Sequence, residues 1–339
     1  MKAMVLEKIC PVEGKPLKLV DLPTPVPGRG QILVRVSACG VCHTELDEIE
    51  GRVAPSKFPM ILGHEIVGRV ERLGHGASRF KKGDRVGIAW INWACGKCPF
   101  CLKGEENLCD TAKWTGKDAY GGYAEYTVVS EDFAYPIPEK FSDVKAAPLL
   151  CAGVIGYRAL RLSGMADGKV LGLYGFGASA HIVIQVAKHK YPESKVFVFT
   201  RPHQKEHQDL ARKLGADWTG ATGDTSPIKL NCAIDFTPVG EPVREALRNL
   251  QKGGRVVINA IRKTTLIPEL DYTEHLWYEK EVKSVANVTR RDAQEFLPLA
   301  AQIPIVPETQ EFKLEEADEA LILLKEGKIR GAGVLEITE

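Results

Sequence analysis

Four cysteines set the strongest constraint on this chain: Cys95, Cys98, Cys101 and Cys109, in the pattern C-x2-C-x2-C-x7-C. Gly96 and Pro99 separate the first three and suit tight turns, which lets successive thiolates converge on one tetrahedral ion. The loop follows the apolar stretch Val86–Ile91 and is rich in Gly, Lys and Glu, so it cannot bury much of itself. A Zn2+ ion held by four sulfurs would fold it outright. Four thiolates fill the coordination sphere and leave no position for water, so the site is structural and any chemistry lies elsewhere. Disulfides or unrelated buried thiols are the competing explanations. An odd total of nine cysteines in close clusters fits metal binding in a reducing compartment better.

A length of 339 residues predicts two domains. Lys and Arg number 45 against 44 Asp and Glu, so no net field draws the chain to nucleic acid or to an anionic membrane. The N-terminus has no apolar signal-peptide core, and no apolar run reaches the roughly 20 residues of a membrane span. A cytoplasmic location is expected.

Residues 1 to about 150 read as β-rich, with short apolar or alternating runs at 31–37, 66–72 and 123–129 punctuated by Pro and Gly. From about 150 the rhythm changes. Strand candidates at 170–174, 195–200, 232–237, 255–260 and 282–288 alternate with helical stretches at 182–190 and 204–214, which predicts a parallel α/β sheet. An amphipathic segment at 314–325 and a strand at 333–337 close the chain.

Two constellations carry chemistry besides the cysteine loop. The first is Gly175-Phe176-Gly177-Ala178-Ser179-Ala180, a G-x-G-x-x-A turn between a strand and a helix. Gly175 makes the turn, Gly177 lets backbone approach a pyrophosphate, and Ala180 permits close helix–strand packing. The helix N-terminus then faces the negative charge. About 20 residues on, where an NAD site usually has a carboxylate, stand Thr200 and Arg201. A hydroxyl and a guanidinium suit a 2′-phosphate, so NADP(H) is favoured over NAD(H). The second is a scattered metal set of a cysteine near 39–42, His64 and Cys151. Two thiolates and an imidazole with an exchangeable fourth position make a catalytic zinc site. Spacing alone does not choose between Cys39 and Cys42.

These motifs occur in a recognisable order: Cys42-His-Thr-Glu, Gly63-His-Glu, the four-cysteine loop, Ala147-Pro-Leu-Leu-Cys-Ala-Gly and the glycine turn. Over essentially its full length the chain resembles the zinc-containing alcohol dehydrogenases of the medium-chain dehydrogenase/reductase family. The resemblance implies a GroES-like β-rich catalytic domain, residues 1–150 completed by 289–339, and a Rossmann domain, a doubly wound parallel sheet, at 151–288. It implies two Zn2+ per chain, one on Cys42, His64 and Cys151 and one on the four-cysteine loop. Glu65 would lie behind the catalytic ion, Thr44 would begin a proton relay, and His43 would approach the cofactor pyrophosphate. Glu45 replaces the Asp that commonly orients the ligating histidine, and Asp47 stands where many members have a relay histidine, so the proton would leave through Asp47, through water or by another route. The implied reaction is reversible oxidation of primary or simple secondary alcohols to aldehydes or ketones by a homo-oligomer, tetramer or dimer. Trp90, Trp93 and Trp114 are candidates to line the pocket. A zinc-free quinone reductase would not need seven ligands, and a polyol dehydrogenase usually has a carboxylate where Cys151 stands. A non-catalytic zinc- and nucleotide-binding protein is the alternative from another class.

Overall fold

In the computed structural model, which describes residues 1–305, 307–329 and 331–337, the N-terminal runs become short antiparallel strands. They are β1 (Lys2–Leu6), β2 (Leu17–Asp21), β3 (Gln31–Val41), β4 (Met60–Ile61), β5 (Ile66–Leu73), β6 (Arg85–Ile88), β7 (Ile91–Trp93), β8 (Lys113–Trp114), β9 (Tyr126–Ser130) and β10 (Ala134–Pro136). Strand β3 is the spine: it pairs with β5 and β9, and β5 continues through β6 to β10. Its Ile32, Leu33, Val34, Val36, Ala38 and Cys39 are buried, as the apolar run requires. Short helices interrupt these strands: α1 (His43–Ile49), α2 (Pro99–Leu102) and α3 (Asp143–Ala146).

Beyond Cys151 the chain becomes α/β. Helix α4 (Ala152–Leu162) leads to β11 (Val170–Tyr174), α5 (Ala178–Lys190), β12 (Lys195–Thr200), α6 (Lys205–Lys213), β13 (Trp218–Ala221), β14 (Leu230–Asp235), α7 (Glu241–Asn249), β15 (Leu250–Ile258) and β16 (Glu281–Ser284). The six strands are parallel in the order β13-β12-β11-β14-β15-β16, a doubly wound sheet whose order reverses between β11 and β14. Tyr174 and Phe199 stack in its core with ring centroids 4.2 Å apart. The sequence suggested five strands. The sixth, β13, is a four-residue edge strand containing Gly220, too short and too weakly apolar to show periodicity.

The chain then runs through α8 (Arg290–Gln302), β17 (Thr309–Lys313), α9 (Ala317–Lys325) and β18 (Ala332–Glu336). Strand β18 pairs antiparallel with β3 and parallel with β17, which returns the C-terminal segment to the first sheet. Two compact units result: Met1–Cys151 with Asn287–Ala301 and Val306–Glu339, and Ala152–Ala286 with Gln302–Ile305. Among the described residues no helix is long and apolar enough to cross a membrane.

Candidate functional site

The end of β3 and the start of α1 build the first half of the site. Cys42 caps α1, and its backbone N–H donates to Glu45 Oε2 at 2.9 Å. Glu45 Oε1 sits 2.5 Å from His64 Nδ1, so one fully buried carboxylate both closes the helix N-terminus and fixes the imidazole. With Nδ1 spent on Glu45, Nε2 is left to bind a metal. Cys151 lies just past a 3-10 turn at 147–150 and brings its Sγ to 3.9 Å from Cys42 Sγ. The ligand atoms of Cys42, His64, Glu65 and Cys151 all lie within 4.8 Å of one another. A tetrahedral ion with zinc–sulfur bonds of about 2.3 Å separates its sulfurs by about 3.8 Å, so the two thiols stand at the spacing zinc requires.

Spacing left Cys39 or Cys42 open and the resemblance chose Cys42; the structure brings Cys42, and not Cys39, to the other donors. Cys39 is fully buried on β3, with its Sγ turned to the Gly40 carbonyl, and it is outside the cluster. Glu65, expected behind the ion, has a carboxylate oxygen within 4.8 Å of the Cys42, His64 and Cys151 donor atoms. Gly40 makes this possible, since a Cβ there would stand 2.0 Å from Glu65 Oε2.

The electrostatics suit a cation. Hydrogen bonding from Cys151 holds the Cys42 thiol well below its ordinary range, and burial opposes this without overcoming it. The same hydrogen bond, with burial, pushes Cys151 well up. Burial alone would depress His64, but the charge of Glu45 and the hydrogen bond with Cys42 raise it. Burial raises Glu65. A divalent ion would discharge this crowded set by replacing protons.

Thr44 is buried with Oγ1 3.7 Å from Cys42 Sγ, while His43 is exposed on the first turn of α1. Asp47 is buried and ion-paired to Arg52 at 2.5 Å, a partner that sequence reasoning missed. Glu48 was missed too. It is fully buried, neither oxygen has a hydrogen-bond partner among the described residues, and burial with the Glu45 charge raises its carboxyl well above the usual range. Trp90 lies 6.3 Å from the His64 ring and stacks on Trp114 at 4.5 Å. Trp93 departs from the pair: it lines a separate 390 Å³ cavity with Lys57, Lys113 and Tyr120.

The second cluster is Cys95, Cys98, Cys101 and Cys109, whose sulfurs also lie within 4.8 Å of one another. Gly96 has φ 71°, in the left-handed region, within the tight turn anticipated there, and Pro99 opens α2 with Cys98 as its cap. Backbone N–H groups of Cys98 and Cys101 donate to Cys95 and Cys98 sulfurs at 3.3 and 3.4 Å. Burial opposes ionisation of Cys109, but hydrogen bonds from the Cys95 region and Thr111 outweigh it and bring the thiol to about 6. Burial pushes Cys101 up to about 12.

In the other unit, Gly175 adopts φ 82° at the end of β11, and its N–H donates to the Phe199 carbonyl at 2.8 Å. A Cβ at Gly177 would meet nothing within 4 Å, so open space lies beside the turn. Ala178 begins α5, and Phe176 and Ala180 are buried. The Thr200 hydroxyl is spent internally: it donates to the Arg201 carbonyl at 3.1 Å and accepts from Gln208 Nε2 at 3.0 Å. Arg201 is exposed just past the strand.

A fold of this kind, with two clustered donor sets, defines a class. Residues 28–139 match the model of the alcohol dehydrogenase GroES-like domain. A protein of Mycobacterium tuberculosis (strain CDC 1551 / Oshkosh) named "Probable alcohol dehydrogenase AdhA" is 44% identical, covering 99% of this chain and 97% of its own. An "NAD-dependent alcohol dehydrogenase" of Sulfolobus acidocaldarius is 35% identical over the whole of both chains. The solved cobalt- and zinc-bound thermostable alcohol dehydrogenase of Pyrobaculum aerophilum superposes with a TM-score of 0.87 at 25% identity, covering 99% of each chain. The chain belongs to the zinc-type alcohol dehydrogenases of the medium-chain dehydrogenase/reductase family. It is an oxidoreductase that acts on alcohols with a nicotinamide cofactor.

Proposed function

We propose that this enzyme holds two Zn2+ ions per chain and interconverts primary or simple secondary alcohols with aldehydes or ketones, favouring NADP(H). One observation carries the reading: Cys42, His64, Glu65 and Cys151, distant in sequence, bring their donor atoms within 4.8 Å, and a buried carboxylate orients the histidine. Cys42, His64 and Cys151 would hold the catalytic ion with Glu65 in reach, and Cys95, Cys98, Cys101 and Cys109 the structural one. When bound, zinc supplies a Lewis acid that lowers the hydroxyl pKa, and the nicotinamide accepts hydride. Thr44, beside the metal donors, takes the alcohol proton. Asp47 is committed to Arg52, which leaves water as the exit for that proton. Trp90 and Trp114 wall the alcohol site near His64.

Gly175, Gly177 and the start of α5 would cradle the pyrophosphate. The catalytic domain is assigned to 1–150 and 289–339 and the nucleotide domain to 151–288. A relative is named NAD-dependent. For this chain, the absence of a carboxylate at the end of β12 and the exposed Arg201 guanidinium support NADP(H), while Thr200 acts only by bracing the loop. The working form is proposed to be a cytoplasmic homo-oligomer, tetramer or dimer. The test is kcat/KM across primary, aromatic and secondary alcohols with NAD+ and NADP+ in parallel. A preference for NADP+ of about tenfold or more is expected from one charge-assisted phosphate contact. A preference for NAD+ would make Arg201 a bystander and leave the zinc chemistry standing.

A further inference from the structure

Where the parallel sheet's strand order reverses, a buried carboxylate is paired with a partly buried lysine. Asp235, the last residue of β14, is fully buried and stands in register with Tyr174, the last residue of β11 before the glycine turn. Its Oδ1 accepts from the Thr237 N–H at 2.9 Å and from the Thr237 hydroxyl at 2.7 Å. Its Oδ2 accepts from Lys263, whose ammonium also donates to the Thr237 carbonyl at 2.6 Å. The same two segments are stitched again by Thr264 N–H on the Pro238 carbonyl and by Gly240 N–H on Thr265 Oγ1 at 2.9 Å. Thr237, the residue so clamped, abuts the glycine turn: a Cβ on Gly175 would lie 2.9 Å from its methyl group.

Burying the Asp235 carboxylate completely, with only a partly buried lysine to balance it, costs desolvation that an apolar side chain would not, so packing alone gives no reason for it. Its place does give one. In doubly wound sheets the ligand binds outside the carboxyl ends of the strands at the point of reversal, where this pair stands. We infer that Lys263 and Asp235 form a positioning latch for the nicotinamide dinucleotide, holding Thr237 against Gly175 so that the phosphate turn keeps its binding geometry. The inference rests on the reading of Gly175–Ala180 as the dinucleotide site.

The test is the dissociation constant of NADPH and NADH, read by nucleotide fluorescence on the full-length zinc-loaded enzyme. Wild-type protein that binds neither nucleotide overturns the dinucleotide reading itself, and the latch with it. Given wild-type binding, Lys263→Met should weaken both nucleotides about tenfold or more, the scale of a lost charge-assisted hydrogen bond, while Lys263→Arg restores most of the affinity. In steady state the loss should fall on the cofactor KM and leave kcat at saturating cofactor within about twofold. Should Lys263→Met fail to fold, Asp235→Asn/Lys263→Met removes the stranded charge and serves in its place. A folded variant of either kind that binds nucleotide as tightly as wild type overturns the latch.

Discussion

The two cysteine clusters differ in where the chain gets its ligands, and the difference separates their roles. The Cys95–Cys109 set comes from a single loop of fifteen residues, and all four donors are thiols. Its surroundings are partly open, with Leu102 75% exposed and Phe100 38%. The other set draws on the end of β3, the segment before β5 and the turn before α4, is walled by buried carboxylates, and mixes sulfur, nitrogen and oxygen. A local set of thiolates folds a loop that has little core of its own. A dispersed, mixed set exists only once the sheet has formed, so it adds little to folding and is available for chemistry.

The sharpest way to break this comparison is at Cys42. Cys42→Ala should reduce turnover by about a thousandfold or more, because the Lewis acid is lost, with little change in Tm. Retained activity would remove Cys42 from the ligand set. Cys98→Ser tests the other side. It should cost about 3 kcal/mol or more of stability, seen as a Tm lower by roughly 6–12 °C, with kcat near wild type in the fraction that remains folded. A variant with unchanged Tm and slow catalysis would reverse the two roles.

Finer changes sharpen the contrast. Glu45→Gln keeps the size of the side chain but weakens its hold on His64 Nδ1, and metal affinity at the dispersed site should fall about 10- to 100-fold, measured by chelator competition. The four-thiol site should hold its ion unchanged; equal loss at both sites would mean that Glu45 acts on folding. The smallest effect is expected from Gly40→Ala. Its Cβ would displace the Glu65 carboxylate, so cobalt substituted at the dispersed site should show an altered visible spectrum while the loop site stays silent. An unaltered spectrum would show that Glu65 has no part in the donor set.

Much of this was legible in the sequence because the motifs are local or evenly spaced. Strands β11 and β12 begin and end where apolar residues flanked by polar ones place them, and the glycine turn has its left-handed Gly175. Neither β13 nor the interior of α1 showed itself this way. Helix α1 carries Glu45, Asp47 and Glu48 within seven residues, a composition that ordinarily faces water, yet Thr44 to Ile49 is buried throughout. Partners outside the helix reverse the expectation: His64 meets Glu45, and Arg52 meets Asp47. Side-chain pairing of that kind has no period in sequence. The same holds for Thr200, whose identity suggested a phosphate contact while its hydroxyl is committed to Gln208 and its own loop.

The most direct measurement is the zinc content of the purified wild-type protein beside Cys42→Ala, by elemental analysis against protein concentration. The account predicts two ions per chain in the wild type and one in the variant, the survivor on the four-cysteine loop. One ion per chain in both would contradict it, because the Cys42, His64 and Cys151 cluster would then not be a zinc site.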